Sequence, residues 1–347
     1  MNVIENENSS RRQPVIGITM GDAAGIGPEI TLKALADENL RMICQPLIIG
    51  DLTILRKTAA DLGLNYDFVE TSKEISPNSA QVTVFNLNNI KSEIIAGEES
   101  AVTGAASAEY IETAVRLWQD KKIDAIATAP ISKKAIAMGG YNYPGHTEFL
   151  AYLTGTEEFA MSFFAGDLRV VLLSTHVSLR DAIELVKKDK LINLIKFTAQ
   201  TLEKLLNKEV KEVKKVEKLK IAVAGLNPHA SEGGMFGAEE ELEIIPAINE
   251  CREKYGIDVT GAYSPDTIFL RGFKGEFDAV VSCYHDQATI AVKCLSFGAS
   301  VNVTLGLPLV RTSVDHGTAF DIAGKGVADA SSMEAAIKLA AKLVGSS

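Results

Sequence analysis

Histidine is scarce in this chain of 347 residues, with five: His146, His176, His229, His285 and His316. Tryptophan occurs once, and the four cysteines (Cys44, Cys251, Cys283, Cys294) form no C-x-x-C pair and no finger-type spacing. This excludes a disulfide framework or a cysteine zinc module and leaves reduced, mostly buried thiols. No apolar run approaches the roughly 20 residues that a bilayer-crossing helix needs. Positive charge is in deficit, 35 Lys and Arg against 45 Asp and Glu for a net charge of −10, so no nucleic-acid-binding face is expected. A local basic pocket for a small anion remains compatible with that balance. The opening stretch MNVIENENSSRRQ lacks the apolar core of a signal peptide, so residues 1–13 read as a disordered tail. Together these absences predict a cytoplasmic protein with neither membrane nor nucleic acid as partner.

What is present is an ordinary globular composition, 46% hydrophobic and 23% charged. The length is large for one core, so two domains are expected. Short β-branched runs recur: VIGIT (15–19), PLIIG (46–50), VTVFN (82–86), IDAIAT (123–128), VVLLST (170–175), KIAVA (220–224), DAVVS (278–282) and VNVTL (301–305). Segments of helical period lie between them, including 103–120 and 191–206. This is an α/β pattern with largely parallel, buried strands, in which ligands gather at the strands' carboxyl ends. The charge run 207–220 reads as a solvated helix end or loop. Gly, Pro and Asn cluster at MGGYNYPG (138–145), a natural domain break, with a return to the first domain near 305–308.

Three histidines sit just beyond expected strands, in STHVSLRD (His176), GLNPHASEGG (His229) and YHDQAT (His285). Each alone fits a structural role. The repeated placement instead suits three imidazoles converging on a divalent ion with an open position for substrate. GHTEFLAYLTG (145–155) places His146 and Thr147 where a helix begins, with Thr147 as candidate N-cap and free amides that favour an anion. An ordinary capped helix fits the same stretch. Lys293 and Arg311 are cations in apolar surroundings, so each needs an internal carboxylate or an anionic ligand. GDAAGIGPEITLKAL (21–35) is a glycine-containing loop opening a helix, with Pro28 suited to the first helical position, but it is not the G-x-G-x-x-G fingerprint. VDHGTAFDIAGKG (314–326) could wrap a nucleotide through its backbone or be plain surface.

GDAAGIGPE, TAPISKKA, GHTEF, STHVSLRD, GLNPHASEGG, YHDQ, VNVTLGLP and RTSVDHGTAFDIAGKG together, from about residue 15 to 330, resemble the 4-hydroxythreonine-4-phosphate dehydrogenase family of pyridoxal phosphate biosynthesis. GDAAGIGPE and HGTAFDIAGKG are also similar to the opening and adenosine-binding loops of the isocitrate and isopropylmalate dehydrogenase class. The resemblance implies a non-Rossmann α/β fold of two α/β/α domains, 14–140 plus 306–347 on the nucleotide side and 141–305 for metal, substrate and dimerisation. It also implies an active site in the interdomain cleft at a homodimer interface. Carried onto this sequence, it implies His176, His229 and His285 as metal ligands, not all from one subunit. Substrate would meet His146, Thr147, Lys293, Asn302 and Arg311, and the cofactor His316, Gly317, Thr318, Asp321 and Gly324.

The implied chemistry is metal-assisted oxidation of a secondary alcohol by NAD or NADP, with one divalent ion per site: zinc, or magnesium, manganese, cobalt or nickel. On 4-phosphohydroxy-L-threonine the product is 2-amino-3-oxo-4-phosphooxybutanoate, a β-keto acid that loses CO2 to give 3-amino-2-oxopropyl phosphate. Asp286 is the candidate general base or the group that orients His285, and Lys293 the candidate catalytic cation. The sequence departs from the family pattern at Ala23, Ser231 and Ala288, the last two beside the site, where they bear on substrate identity; a branch of the same family that oxidises phosphorylated four-carbon sugar acids, erythronate or threonate 4-phosphate, resembles the sequence equally well. Two other classes compete: a three-histidine metal hydrolase or lyase without dinucleotide, and a non-catalytic metabolite-binding protein.

Overall fold

A computed structural model of the chain describes residues 12–71, 81–206, 218–296 and 298–345. The runs 1–11 and 207–217, which hold most of the expected tail and most of the charge run, lie outside the described residues. Twelve strands form one sheet: β1 (Val15–Thr19), β2 (Gln45–Gly50), β3 (Phe68–Thr71), β4 (Val82–Asn86), β5 (Ala125–Thr128), β6 (Ala160–Ala165), β7 (Leu168–Leu172), β8 (Ile221–Ala224), β9 (Val259–Tyr263), β10 (Ala279–Ser282), β11 (Val301–Leu305) and β12 (Val310–Ser313). Their spatial order is β3-β4-β2-β1-β5-β12-β11-β6-β7-β10-β8-β9. From β3 to β12, and again from β7 to β9, neighbours run parallel. At the centre β12, β11, β6 and β7 pair antiparallel in succession.

Each expected strand is found. VVLLST stops short at Leu172 because the chain turns away there to carry Ser174 and His176. The inner parallel strands β1, β8 and β10 are buried on both faces, as their unbroken apolar runs require. One hydrophobic cluster gathers side chains from 15–150 and 309–343, and three others gather the β6–β11 half. The helix His146–Thr154 packs Phe149 and Leu150 into the first cluster while its amino end reaches the sheet's centre. Among the described residues no helix is long and apolar enough to cross a membrane. Cys44, Cys251 and Cys283 are buried free thiols and Cys294 is an exposed one.

Candidate active site

The antiparallel centre of the sheet forms the floor of a cleft of about 320 Å³. Side chains alternate along a strand, so Asn302 and Thr304 of β11 share a face, as do Arg311 and Ser313 of β12. Arg311 is the dominant feature, being only 2% exposed. Its Nε and Nη2 donate to Thr128 Oγ1 at 3.2 and 2.8 Å, and its Nη1 donates to Thr304 Oγ1 at 3.1 Å. Burial lowers its pKa to about 9, an effect that Glu148 opposes. Among the described residues no carboxylate pairs with this guanidinium, so a buried charge is held by hydroxyls alone. Such an arrangement calls for an anion.

The helix His146–Thr154 supplies further groups for one. Its N-cap is Gly145, with φ 174 and no side-chain cap. Thr147 is therefore not the N-cap expected from sequence: the extended backbone at Gly145 starts the helix sooner, and the Thr147 hydroxyl lies 3.4 Å from that of Thr304. His146 Nε2 and Asn302 Oδ1 are buried without a partner among the described residues. Desolvation, reinforced by the charge of Arg311, holds the His146 imidazole well below its ordinary pKa. It is a neutral donor and acceptor pair facing the cleft.

His176 and His285 line the other side. His176 follows β7 in a bend, and His285 opens the helix His285–Ser296 after β10. Their ring centroids are 5.9 Å apart, near the ~5–6 Å that two imidazoles bound to one ion at ~2.1 Å adopt. His285 Nδ1 lies 3.3 Å from Asp286 Oδ1, which leaves its Nε2 free for a ligand. Burial lowers the pKa of His176, with Lys133 and then His285 adding to the effect. The pair thus fits a divalent ion.

His229 does not join them, and the described residues contain no group of three His, Cys, Asp or Glu set to hold an ion. It is exposed and sits in a left-handed turn, with positive φ at His229, Ala230, Ser231 and Glu232. Buried Glu240 fastens this turn: its Oε1 accepts the Leu226 and Asn227 amides at 2.8 Å, and its Oε2 accepts Asn227 Nδ2 at 2.8 Å. Gly225 is required there, because a Cβ would lie 2.9 Å from Ala230 Cα.

Lys293 also lies outside the cleft, and its expected apolar surroundings are not found. Helical spacing puts Asp286, Ile290 and Lys293 on the outward face of their helix, where all three are exposed. The loop expected to hold a cofactor runs between two clefts. His316 and Gly317 line the first, while Gly324 lines a second of about 430 Å³ walled by Ile54, Ile90 and Ile94. Thr318 is buried, and its carbonyl accepts the Ile26 amide at 3.0 Å, tying this loop to the GDAAGIGPE loop. Asp321 is exposed on the span between. Pro28 takes the second position of its helix rather than the first, since the helix begins at Gly27.

A family model described as pyridoxal phosphate biosynthetic protein PdxA matches residues 42–340. The chain belongs to the PdxA family. A D-threonate 4-phosphate dehydrogenase of Cupriavidus necator is 46% identical over 333 residues, 95% of this chain and 97% of the relative. A crystal structure of a 4-hydroxythreonine-4-phosphate dehydrogenase from Burkholderia phymatum superposes with TM-score 0.81 at 44% identity, covering 96% of this chain and 98% of that one. One from Klebsiella pneumoniae gives TM-score 0.85 at 37% identity, covering 97% and 99%. The expectation of a dehydrogenase in this family is borne out at that level. Within this PdxA chain, sequence reasoning missed Thr128, Thr304 and Glu240. The two threonines look like plain strand residues, and Glu240 is hidden in the acidic run AEEELE.

Proposed function

We propose that the cleft oxidises the secondary alcohol of a four-carbon, 4-phosphorylated acid with NAD or NADP. The observation that carries this is buried Arg311, held only by hydroxyls beside the partnerless His146 Nε2 and facing the His176–His285 pair. Arg311, the 146–154 helix amides and Asn302 receive the phosphate by charge-assisted hydrogen bonds. Neutral His146 donates to it from a ring N–H. A bound divalent ion would supply Lewis acidity at the alcohol, and the nicotinamide would take the hydride.

His176 and His285 would hold that ion, with the third imidazole being His229 of a second copy. Exposed apolar side chains support such a copy: Val177 and Leu179 beyond His176, and Met235, Phe236 and Leu242 around the His229 turn. The outward Asp286–Ile290–Lys293 stripe would be covered in the same way. In this reading Asp286 orients His285, and Lys293 reaches the partner's cleft. The dinucleotide would follow the 316–324 loop, its nicotinamide end at His316 and Gly317 and its other end in the Gly324 cleft. Removing hydride next to the phosphorylated carbon leaves a ketone β to the carboxylate, which then departs as CO2.

The 46% identical relative favours D-threonate 4-phosphate as substrate. The names of the solved relatives favour 4-phosphohydroxy-L-threonine as the second reading. Comparing kcat/KM for the two with saturating NAD, then NADP, tests this. Reduction with neither substrate and neither cofactor overturns the proposal.

A further inference from the structure

Lys133, in TAPISKKA, enters the site as built so far only through its charge near His176. It opens the short helix Lys133–Met138 after the turn that follows β5, and Ser132 caps that helix through the Ala135 amide. Its neighbour Lys134 points the other way and pairs with Glu99 at 2.7 Å. Lys133 instead lines the cleft. Its Cε lies 3.7 Å from where a Cβ on Gly145 would stand, so the side chain runs over the uncapped start of the 146–154 helix. Gly145 leaves the space in which it lies. Glu148 flanks the same point, its Oε2 3.4 Å from that position. Among the described residues no carboxylate comes within 4 Å of the Lys133 ammonium, and its carrier helix is anchored by a cap independent of the cleft.

Glu148 lines the same cleft as Arg311, so an anion bound there shares it with a carboxylate. Without a second cation there, Glu148 would repel the phosphate that Arg311 attracts. We infer that Lys133 is a second phosphate anchor, closing over the anion from the mouth while Arg311 holds it from the floor. The inference rests on the phosphate reading of the cleft. It assigns Lys133 a positioning and specificity role: a dianionic phosphate takes two cations at once, and a phosphate-free acid gains much less.

The test uses the full-length protein and inorganic phosphate as probe, with binding followed calorimetrically for wild type, Lys133→Met, Lys133→Arg and Arg311→Met. Lys133 is exposed on a helix end, so its variants should fold as wild type does. The expected result is roughly tenfold weaker phosphate binding in Lys133→Met, about 1.4 kcal/mol, largely restored in Lys133→Arg. KM for the phosphorylated substrate should rise by a similar factor, with kcat and divalent-metal affinity little changed. If Arg311→Met loses phosphate binding while Lys133→Met keeps it, the Lys133 role is wrong and the cleft reading stands. If wild type binds no phosphate, or Arg311→Met binds it unchanged, the cleft reading fails and this inference with it. A fall in kcat or metal affinity without change in phosphate binding also overturns it.

Discussion

Arg311 places both Nε and Nη2 on a single hydroxyl, that of Thr128, at 3.2 and 2.8 Å. A carboxylate would satisfy a buried guanidinium far better, and none among the described residues does so, which leaves the charge available to a ligand. Arg311→Met should therefore separate binding from stability. Phosphate affinity should fall by about 10- to 150-fold, the ~1.5–3 kcal/mol of charged hydrogen bonds. Thermal stability should hold or rise, because a desolvated charge is removed. A large drop in Tm would show that Arg311 is a structural cation instead.

His146 gives the fold a pH dependence. Its folded pKa is depressed by burial and by Arg311, so below its ordinary value of 6.5 the unfolded chain binds a proton that the folded chain refuses. This contribution is full above 6.5 and is lost as pH falls toward the folded pKa, with a limiting slope of about 1.4 kcal/mol per pH unit. Urea unfolding between pH 7 and pH 5 should show that slope in wild type and a shallower one in His146→Gln. Parallel pH profiles would mean that His146 is solvated.

Glu240 should act at a distance on His229. Its carboxylate holds the Leu226 and Asn227 amides and the Asn227 side chain, against the cost of four consecutive non-glycine residues at positive φ. Glu240→Ala should destabilise by ~2–4 kcal/mol. It should also speed amide exchange through 225–237 while the β1–β5 half stays protected. Uniform exchange throughout the chain would show that the carboxylate supports the whole core.

If His229 completes the partner's ion site, two inactive variants should rescue each other. His229→Ala and His176→Ala should each fold yet lack metal-dependent turnover. Co-refolded in equal amounts, half of the dimers are mixed and each mixed dimer carries one intact site, so about a quarter of wild-type activity should return. No recovery in demonstrably mixed dimers would place all the ligands within one chain.

Much of this architecture is legible in the residues, and the gaps have physical causes. Eight strands announce themselves as apolar β-branched runs. The four that do not are β3 and β9, at the two sheet edges where burial is partial, β6, diluted by Ala, Met and Ser, and β12, interrupted by Arg311. The arginine that hides β12 as a strand is the residue that marks the site. His146, Asn302, Arg311, His176 and His285 were all readable and meet in one cleft. The roles expected of His229 and Lys293 are not met by the cleft of a single chain, because a sequence states which residue types are present and not where the chain carries them. Thr128 and Thr304 were invisible, since nothing in a strand's alternation distinguishes a hydroxyl that packs from one that carries a guanidinium.

In the proposed reaction a phosphate-anchoring cleft and a histidine-held divalent ion act on one substrate. The most direct measurement follows nicotinamide reduction and CO2 release together, for metal-loaded protein given D-threonate 4-phosphate or unphosphorylated D-threonate. The expected result is matched reduction and CO2 release with the phosphorylated acid, loss of both on chelation, and at least a hundredfold lower kcat/KM without the phosphate, about 2.7 kcal/mol. Equal turnover of the two acids, or turnover indifferent to chelation, would contradict it.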